Sequence, residues 1–187
     1  MNKPSANLQN AIQQLNDANL DGDDQEALRR QTLEFCKRHP DALKRTCLEG
    51  HLTASAAVIR PATSELLLVH HSKLDRWLQP GGHADGDANL DQVAWREASE
   101  ETGLEGLSLI TPAIDIDIHT IPARGNEPEH LHFDLRFVVL ADQDHTPKPN
   151  HEVLDAAWVR LSDPRVLASV ELSRLARRAM ALGSAMF

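Results

Sequence analysis

The 187 residues of this chain are enough for one folded domain with an extension, and 41% of them are apolar and 25% charged. That composition is typical of a globular protein with a buried core rather than of a disordered chain. The 28 acidic residues outnumber the 19 basic ones, which gives a formal charge of −9. This charge argues against binding to duplex nucleic acid or to an anionic membrane surface. A small phosphorylated ligand is compatible with it where metal ions supply positive charge.

The expected cellular location follows from features that the sequence lacks. No apolar run approaches the length that spans a membrane, and residues 1–8 lack the basic and then apolar pattern of a signal peptide. We therefore expect a cytoplasmic protein. Cys36 and Cys47 have no metal-type spacing, so we expect them to be reduced thiols.

The N-terminal part of the chain is predicted to be helical. Residues 8–45 are polar and poor in glycine, and their apolar positions recur at helical spacing, which predicts two or three short helices. Asp21 and Asp23 are suited to capping the second helix. We expect residues 1–50 to form a helical extension that packs on the main domain, residues 51–187, or on a second copy of the chain. In the latter case the extension would provide a homodimer surface.

The main domain is predicted to combine a mixed sheet with two helices. Short runs of β-forming residues predict strands at residues 54–59, 66–70, 76–79, 107–110, 113–119, 131–140 and 156–160. Helices are predicted at residues 89–102, where Gly103 suits the C-terminus, and at residues 164–182. The linker-like segment, residues 142–150, contains two prolines. These elements predict a single mixed α/β domain.

The first predicted helix of the main domain changes from apolar to acidic along one face. At helical spacing that face contains Leu90, Val93, Ala94, Glu97, Glu100, Glu101 and Leu104. Three carboxylates on one face repel one another, and beside apolar residues they also lose hydration. One interpretation is a solvated helix end whose glutamates pair with neighbouring basic residues. The other is a site for a hard divalent cation such as Mg²⁺, which binds oxygen ligands and removes both objections.

The residues directly before this helix favour the second interpretation. They form a glycine-rich segment where backbone groups can approach a phosphate or a metal closely: Gly81-Gly82-His83-Ala84-Asp85-Gly86-Asp87. The stretch between Gly82 and Leu104 resembles the box of the Nudix hydrolases, whose pattern is Gly, five residues, Glu, seven residues, then Arg-Glu-aliphatic-x-Glu-Glu-x-Gly-aliphatic. The second half matches at every specified position, with Ala98 at the first aliphatic place: Arg96-Glu97-Ala98-Ser99-Glu100-Glu101-Thr102-Gly103-Leu104.

The resemblance implies a fold and a reaction. Over about residues 52–180 it implies an α/β/α sandwich around a mixed sheet, which is an α/β (α+β) fold. It also implies a pyrophosphohydrolase that uses Mg²⁺ or Mn²⁺ and water to cleave a diphosphate bond in a nucleoside diphosphate linked to another group. The implied metal ligands are the carboxylates of Glu97, Glu100 and Glu101 and the backbone carbonyl of Gly81.

Other box residues are expected to serve the substrate and the geometry of the site. Arg96 would orient one of the glutamates or contact a phosphate. Gly82 and His83 lie in the glycine-rich segment and are predicted to contact the substrate. The sequence departs from the family pattern at Ala88, where the family has its first Glu, and Asp87 or Asp91 is a candidate substitute. This departure supports an alternative function, a Nudix-fold module that binds or senses a nucleotide without turnover.

Two later segments alternate strictly between polar and apolar residues and are predicted to pair as strands. Their shared polar face would contain Asp115, Asp117, His119, His130, His132, Asp134 and Arg136. One interpretation is a solvated sheet face, which antiparallel sheets commonly have. A second is a substrate wall, in which His132 and Arg136 contact the ligand. A third is a Zn²⁺ site formed by His130, His132 and Asp134, which would make this a metal-binding protein of another class.

The proposed hydrolysis also needs a group that accepts a proton from water. Glu152, in the loop before the last predicted strand, is the candidate outside the box, although an ordinary loop acid is an equally reasonable interpretation. Glu97 and Glu100 are the candidates inside the box. The substrate itself is not identified by these motifs, because loops and extensions select it. Nucleotide sugars, dinucleoside polyphosphates, oxidised nucleotides and coenzyme A derivatives all fit the predicted chemistry.

Overall fold

The protein is described here from a computed structural model that covers residues 6–125, 127–141, 146–148 and 150–186. Its helices are α1 (Ala6–Asp17), α2 (Asp23–Arg38), α3 (Leu90–Thr102), α4 (Pro164–Leu167) and α5 (Val170–Ala185). Its strands are β1 (Gly50–Arg60), β2 (Glu65–His71), β3 (Arg76–Leu78), β4 (Gly81–His83), β5 (Leu107–Ile121), β6 (His130–Ala141) and β7 (Val153–Val159). None of the helices in this described part is long and apolar enough to cross a membrane.

The strands form one mixed sheet. Its main path is β3-β2-β1-β6-β5, while β4 pairs with β1 and β7 pairs with β2. The pairing of β1 with β6 is parallel, and the other pairings are antiparallel. Strand β1 is buried along its whole length, as expected for a strand covered on both faces. It pairs with β2 near Ile59 and with β4 near Ala54, so two different partners share one of its edges.

Helices cover both faces of this sheet. On one face, Leu52 and Ala54 of β1 share a core with buried residues of α1, α2 and α3. On the other face, Ala57 and Ile59 share a second core with buried residues of α4 and α5. Successive strand residues point to opposite faces, so the near-continuous apolar sequence of β1 supplies both cores. The expected α/β/α sandwich is confirmed.

The N-terminal helices pack directly on the main domain. Leu8 and Leu15 of α1 are fully buried in the core beneath β1. The buried side chain of Gln25 in α2 donates to the Ile116 carbonyl at 2.9 Å and accepts from the Ile116 N–H at 2.9 Å. These contacts confirm the predicted helices and their packing, whereas the predicted domain boundary at residue 50 stays a prediction.

Several local predictions are corrected. The expected glycine-rich loop contains strand β4, because residues 81–83 pair in antiparallel register with residues 53–55 of β1. The two strands predicted at 107–119 are one strand with an irregularity between Ile110 and Asp115. The final helix is two helices, and α2 is preceded by Gly22 without a side-chain cap. Most of the linker-like segment, residues 142–145 and 149, lies outside the described residues.

Candidate functional site

Helix α3 presents its three glutamates in three different environments. The helix ends at Thr102, and Gly103 follows it with a φ of 64°, a left-handed conformation that glycine adopts without strain. Glu101 is buried with 4% exposure, Glu97 is half-buried and Glu100 is exposed. Burial therefore decreases across this acidic face from Glu101 through Glu97 to Glu100, and only part of the face is shielded from solvent.

Glu101 is held against the start of strand β4. The Gly81 N–H donates to Glu101 Oε2 at 3.1 Å. Burial raises the pKa of Glu101 to about 7, and the nearby charges of Glu97, Glu152 and Glu100 act in the same direction. A carboxylate that is buried among other acids is unstable as an isolated anion. Glu101 is therefore poised either to keep a proton or to bind a cation.

Glu97 packs against the next residue of the same strand. A Cβ atom at Gly82 would lie 2.5 Å from the Glu97 carboxyl carbon, so any larger residue there would displace the Glu97 carboxylate. Arg96 Nη2 donates to Glu97 Oε1 at 3.1 Å, which agrees with the expectation that Arg96 orients a glutamate. Burial raises the pKa of Glu97, although the Arg96 charge opposes that shift.

Ala88, where the box departs from the family pattern, is buried against the N-terminal helix α1. Ala88 is buried with 6% exposure, and its carbonyl accepts from the Asn10 side chain of α1 at 3.3 Å. Asp87 Oδ2 lies 3.9 Å from Arg96 Nη1, whereas Asp91 accepts from Gln14 of α1 at 3.2 Å. Of the two candidate substitutes for the missing Glu, Asp87 is thus the one beside Arg96.

Glu152 lies close enough to the box to affect it electrostatically. Its side chain is exposed, and its charge raises the pKa of both Glu97 and Glu101. Its backbone carbonyl accepts from the Ser72 N–H at 3.1 Å and from the Ser72 hydroxyl at 2.7 Å, which anchors the loop. The structure therefore brings together four acids from two segments, here called the box cluster: Glu97, Glu100, Glu101 and Glu152.

The predicted polar face of β5 and β6 exists, but its centre is buried. The strands pair as expected, with Asp117 opposite Asp134. Arg136 is 4% exposed, and its guanidinium lies 2.8 Å from Asp134, 2.9 Å from Asp117 and 3.4 Å from Asp115. Arg174 of α5 pairs with Asp115 at 2.6 Å. The interpretation as a solvated face is wrong for this aspartate network, which consists of Asp115, Asp117, Asp134, Arg136 and Arg174.

Histidines gather beside the aspartate network on the same sheet face. His132 lies between His83 and His130, with ring centroids 4.9 and 5.2 Å away. The ring of His51 in β1 contacts all three, at 4.8 to 5.0 Å. His119 adds a fifth ring, 5.4 Å from His132. We refer to these five residues as the histidine cluster.

Sequence reasoning missed His51 because it precedes the box by about thirty residues and belongs to no local motif. A signal was nevertheless present in the alternation of β1. His51, Thr53 and Ser55 alternate with Leu52 and Ala54, which marks a polar face inside an apolar strand. In the sheet His51 lies opposite His132.

Fold and site together define a class of protein. A mixed sheet between helical layers carries a glycine-rich strand and a helix whose last two turns contain three glutamates. The sequence model of the NUDIX domain matches residues 50–178, and the chain belongs to the Nudix family. This match confirms the resemblance of the box and supports the assignment as a hydrolase. A comparison with the curated proteins finds no match.

Solved structures show the same fold. An Ap4A hydrolase from C. elegans, in a binary complex, has a TM-score of 0.58 and 23% identity, covering 73% of this chain and 98% of that chain. The dihydroneopterin triphosphate pyrophosphohydrolase from E. coli has a TM-score of 0.56 and 16% identity, covering 70% and 95%. The Nudix hydrolase RenU from M. smegmatis has a TM-score of 0.51 and 19% identity, covering 74% and 89%.

Proposed function

We propose that this protein is a Mg²⁺- or Mn²⁺-dependent pyrophosphohydrolase that cleaves a diphosphate bond in a nucleoside diphosphate linked to another group. The observation that carries this proposal is the charge imbalance of the box cluster. Glu101 is buried with a pKa raised to about 7, and Arg96 is the cation that contacts the cluster within the described residues. Oxygen ligands with this excess of negative charge fit a hard divalent cation.

The box glutamates supply the metal ligands in this proposal. Glu97, Glu100 and Glu101 would hold the cation, with the backbone carbonyl of Gly81 as a further oxygen ligand. The Gly81 N–H fixes the Glu101 carboxylate, and Arg96 fixes that of Glu97. A bound divalent cation neutralises charge on the diphosphate and lowers the pKa of a coordinated water. The negative charge of the chain also makes the cation necessary for binding a polyanion.

The reaction is a displacement at phosphorus. The oxygen of water attacks one phosphorus atom, the bridging P–O bond breaks, and two products each retain a phosphate group. Glu152 is our assignment for the group that accepts the proton from water, because its exposed carboxylate raises the pKa of Glu97 and Glu101 and forms no ion pair with an arginine of the described residues. Glu97 and Glu100 are the alternatives inside the box.

We assign substrate contacts to the strand and sheet face next to the box. Gly82 of β4 lies against the Glu97 carboxylate, and His83 and His132 are half-buried on the neighbouring part of the sheet. Arg136 was predicted to contact the substrate as well, but three aspartates surround its guanidinium. We therefore propose that Arg136 positions the sheet face. The structural relatives are named for Ap4A and for dihydroneopterin triphosphate, which supports a phosphoanhydride substrate without selecting one.

The test is turnover of a panel of substrates. Nucleotide sugars, dinucleoside polyphosphates, oxidised nucleotides and coenzyme A derivatives are each incubated with Mg²⁺, with Mn²⁺ and with chelator, and released nucleotide or phosphate is measured. We expect metal-dependent release that Glu101→Gln abolishes while the variant stays folded. Glu105→Gln is the matched control, because Glu105 is exposed beyond the end of α3. Full activity of a folded Glu101→Gln protein would contradict the assigned role.

Ala88 favours a second candidate function, a Nudix-fold module that binds a nucleotide-type ligand without turnover. The same panel separates the two functions when ligand binding is measured by calorimetry beside turnover. Binding without product release by the wild-type protein, with either metal, would favour the binding module. Product release would exclude it.

A further inference from the structure

Three rings of the histidine cluster converge from three different strands. His51 is in β1, His83 is in β4 and His132 is in β6. Within this group one ligand nitrogen of each ring lies within 4.8 Å of those of the other two. Strands β4 and β6 pair with opposite edges of β1, so the sheet itself brings the three side chains to one face.

The central ring of this group is buried without satisfying its polar atoms. His51 is 4% exposed, and within the described part of the chain neither its Nδ1 nor its Nε2 has a hydrogen-bond partner. Burying an imidazole away from water without giving it a hydrogen-bond partner costs free energy. A ligand bound among the three rings would satisfy at least one of these nitrogens.

The charge state of the rings suits a cation. Burial lowers the pKa of His83 to about 4 and that of His132 to about 2, and the neighbouring histidines add to both shifts. Burial also lowers the pKa of His51. These shifts favour the neutral imidazole, which offers nitrogen lone pairs and is the form that binds metals.

We propose that His51, His83 and His132 bind a transition-metal ion of the Zn²⁺ type, at a site separate from the box cluster. Imidazole nitrogens suit Zn²⁺, whereas Mg²⁺ prefers carboxylate, carbonyl and water oxygens. Zinc bonds to histidine are about 2.0–2.1 Å long, which places the nitrogens of a tetrahedral site roughly 3.3 Å apart, so nitrogens within 4.8 Å must approach one another by up to roughly 1.5 Å on binding. Three protein ligands leave the fourth position of a tetrahedral ion for water or for a substrate oxygen.

The proposed ligands differ from those expected from sequence. Asp134, the expected carboxylate ligand, accepts from Thr53 at 2.8 Å and from Ser55 at 2.8 Å, and it pairs with Arg136. Its carboxylate is therefore already occupied. His130 donates from Nδ1 to the Pro128 carbonyl, and its Nε2 lies 3.3 Å from His132 Nε2. His130 would therefore orient the His132 ring without binding the metal itself.

The test measures metal binding rather than activity. Full-length protein is stripped with chelator, and its affinity for Zn²⁺ is determined by competition with a chromophoric chelator in the presence of excess Mg²⁺. We expect one equivalent of Zn²⁺ to bind, and we expect Co²⁺ in its place to give the visible absorption of a four-coordinate site. His51→Gln and His132→Gln should each weaken Zn²⁺ binding by at least about 100-fold.

Two controls assign the bound ion to its site. His70→Gln removes a histidine that pairs with Asp75 outside the cluster, and Glu101→Gln removes a box ligand. Both variants should bind Zn²⁺ as the wild-type protein does. Loss of Zn²⁺ in Glu101→Gln would place the ion in the box cluster and overturn the proposal. Unchanged affinity in folded His51→Gln and His132→Gln would also overturn it.

A measurement on the wild-type protein covers the case in which the histidine variants do not fold. In protein labelled with ¹⁵N at histidine, long-range ¹H–¹⁵N spectra report each imidazole nitrogen during a Zn²⁺ titration. We expect three rings to change in one stoichiometric step, while His70 and His151 stay unchanged. A titration that shifts no histidine, or only exposed ones, would overturn the proposal. Failure of the proposed hydrolysis would leave these results intact, because the ligand sets do not overlap.

Discussion

The box cluster and the aspartate network are both partly buried groups of acids, but their surroundings shift the pKa values of these acids in opposite directions. In the aspartate network, burial raises the pKa of Asp117, but hydrogen bonding to His119 and the Arg136 charge overcome this and lower it. In the box cluster, burial and neighbouring acids raise the pKa of Glu97 and Glu101. The protein thus supplies the cations for one group of acids and leaves the other short of them.

This difference indicates what each group is for. Acids that are neutralised by buried arginines already have their partners, and removing a partner leaves a buried charge. Acids that lack partners are destabilising unless a proton or a metal ion joins them. Variants of the box cluster should therefore change activity, and variants of the aspartate network should change stability.

The largest expected effect is on activity in the box cluster. Glu97→Gln removes one charged ligand while it keeps the side-chain size and an acceptor for Arg96. Several kcal/mol of transition-state stabilisation depend on the cation, so kcat/KM should fall by about three orders of magnitude. Steady-state kinetics on the substrate identified by the panel measure this loss. In the presence of chelator, the thermal unfolding temperature of the variant should equal or exceed that of the wild-type protein.

The next effect is on stability in the aspartate network. Arg136→Leu leaves Asp134, Asp117 and Asp115 without their shared cation, and breaking a buried pair in this way costs about 3–5 kcal/mol. Urea unfolding followed by circular dichroism measures the loss. Arg177→Leu is the control, because Arg177 is exposed and its replacement should cost less than about 0.5 kcal/mol. A stable Arg136→Leu protein with weakened substrate binding would instead restore Arg136 as a substrate contact.

Only part of the contrast between the two groups could be predicted from the sequence. The box could be recognised because its residues are close in the chain, and helical spacing alone places Glu97 and Glu101 near each other. The strand pairing of residues 115–119 with 130–137 was predictable from strict alternation. The burial of Arg136 was not, because it depends on Arg174 of α5 and on helices packing over that face.

The histidine cluster was even less predictable from local sequence patterns. His51, His83 and His132 come from three strands, and their meeting depends on the register of β1 with β4 and with β6. Local patterns determine which face of a strand is polar, but they do not determine which strands become neighbours. The sequence therefore suggested a metal site of His132 with His130 and Asp134, whereas the sheet brings His51 and His83 beside His132.

A third prediction separates the two groups by pH. The native pKa of Glu101, about 7, lies above its ordinary value of 4.5, so its contribution to stability is present in acid and is lost as pH rises through 7. In chelator, Glu101→Gln should therefore be more stable than the wild-type protein at pH 8, by up to ~3 kcal/mol, and nearly equal to it near pH 4.5. Urea unfolding at several pH values measures the difference. Excess Mg²⁺ at pH 8 should reverse the order, since only the wild-type protein keeps the full ligand set.

The smallest effect is expected at Asp87. This acid lies near an arginine, as the acids of the aspartate network do, but it belongs to the box region. It is half-buried and 3.9 Å from Arg96, and its Oδ1 also accepts from the Asn89 N–H at 2.9 Å. Asp87→Asn keeps that acceptor and removes the charge, so kcat should fall by less than about tenfold, as a loosely held ion pair is worth roughly 1 kcal/mol.

Asp85→Asn is the matched control, because Asp85 is an exposed acid two residues earlier that pairs with Arg45. Its kinetics should match those of the wild-type protein. A loss of more than about 100-fold in Asp87→Asn alone, equivalent to nearly 3 kcal/mol, would exceed what orienting Arg96 explains. Asp87 would then belong with the metal-binding acids, and the Ala88 departure would be a one-residue shift of the first box acid rather than its loss.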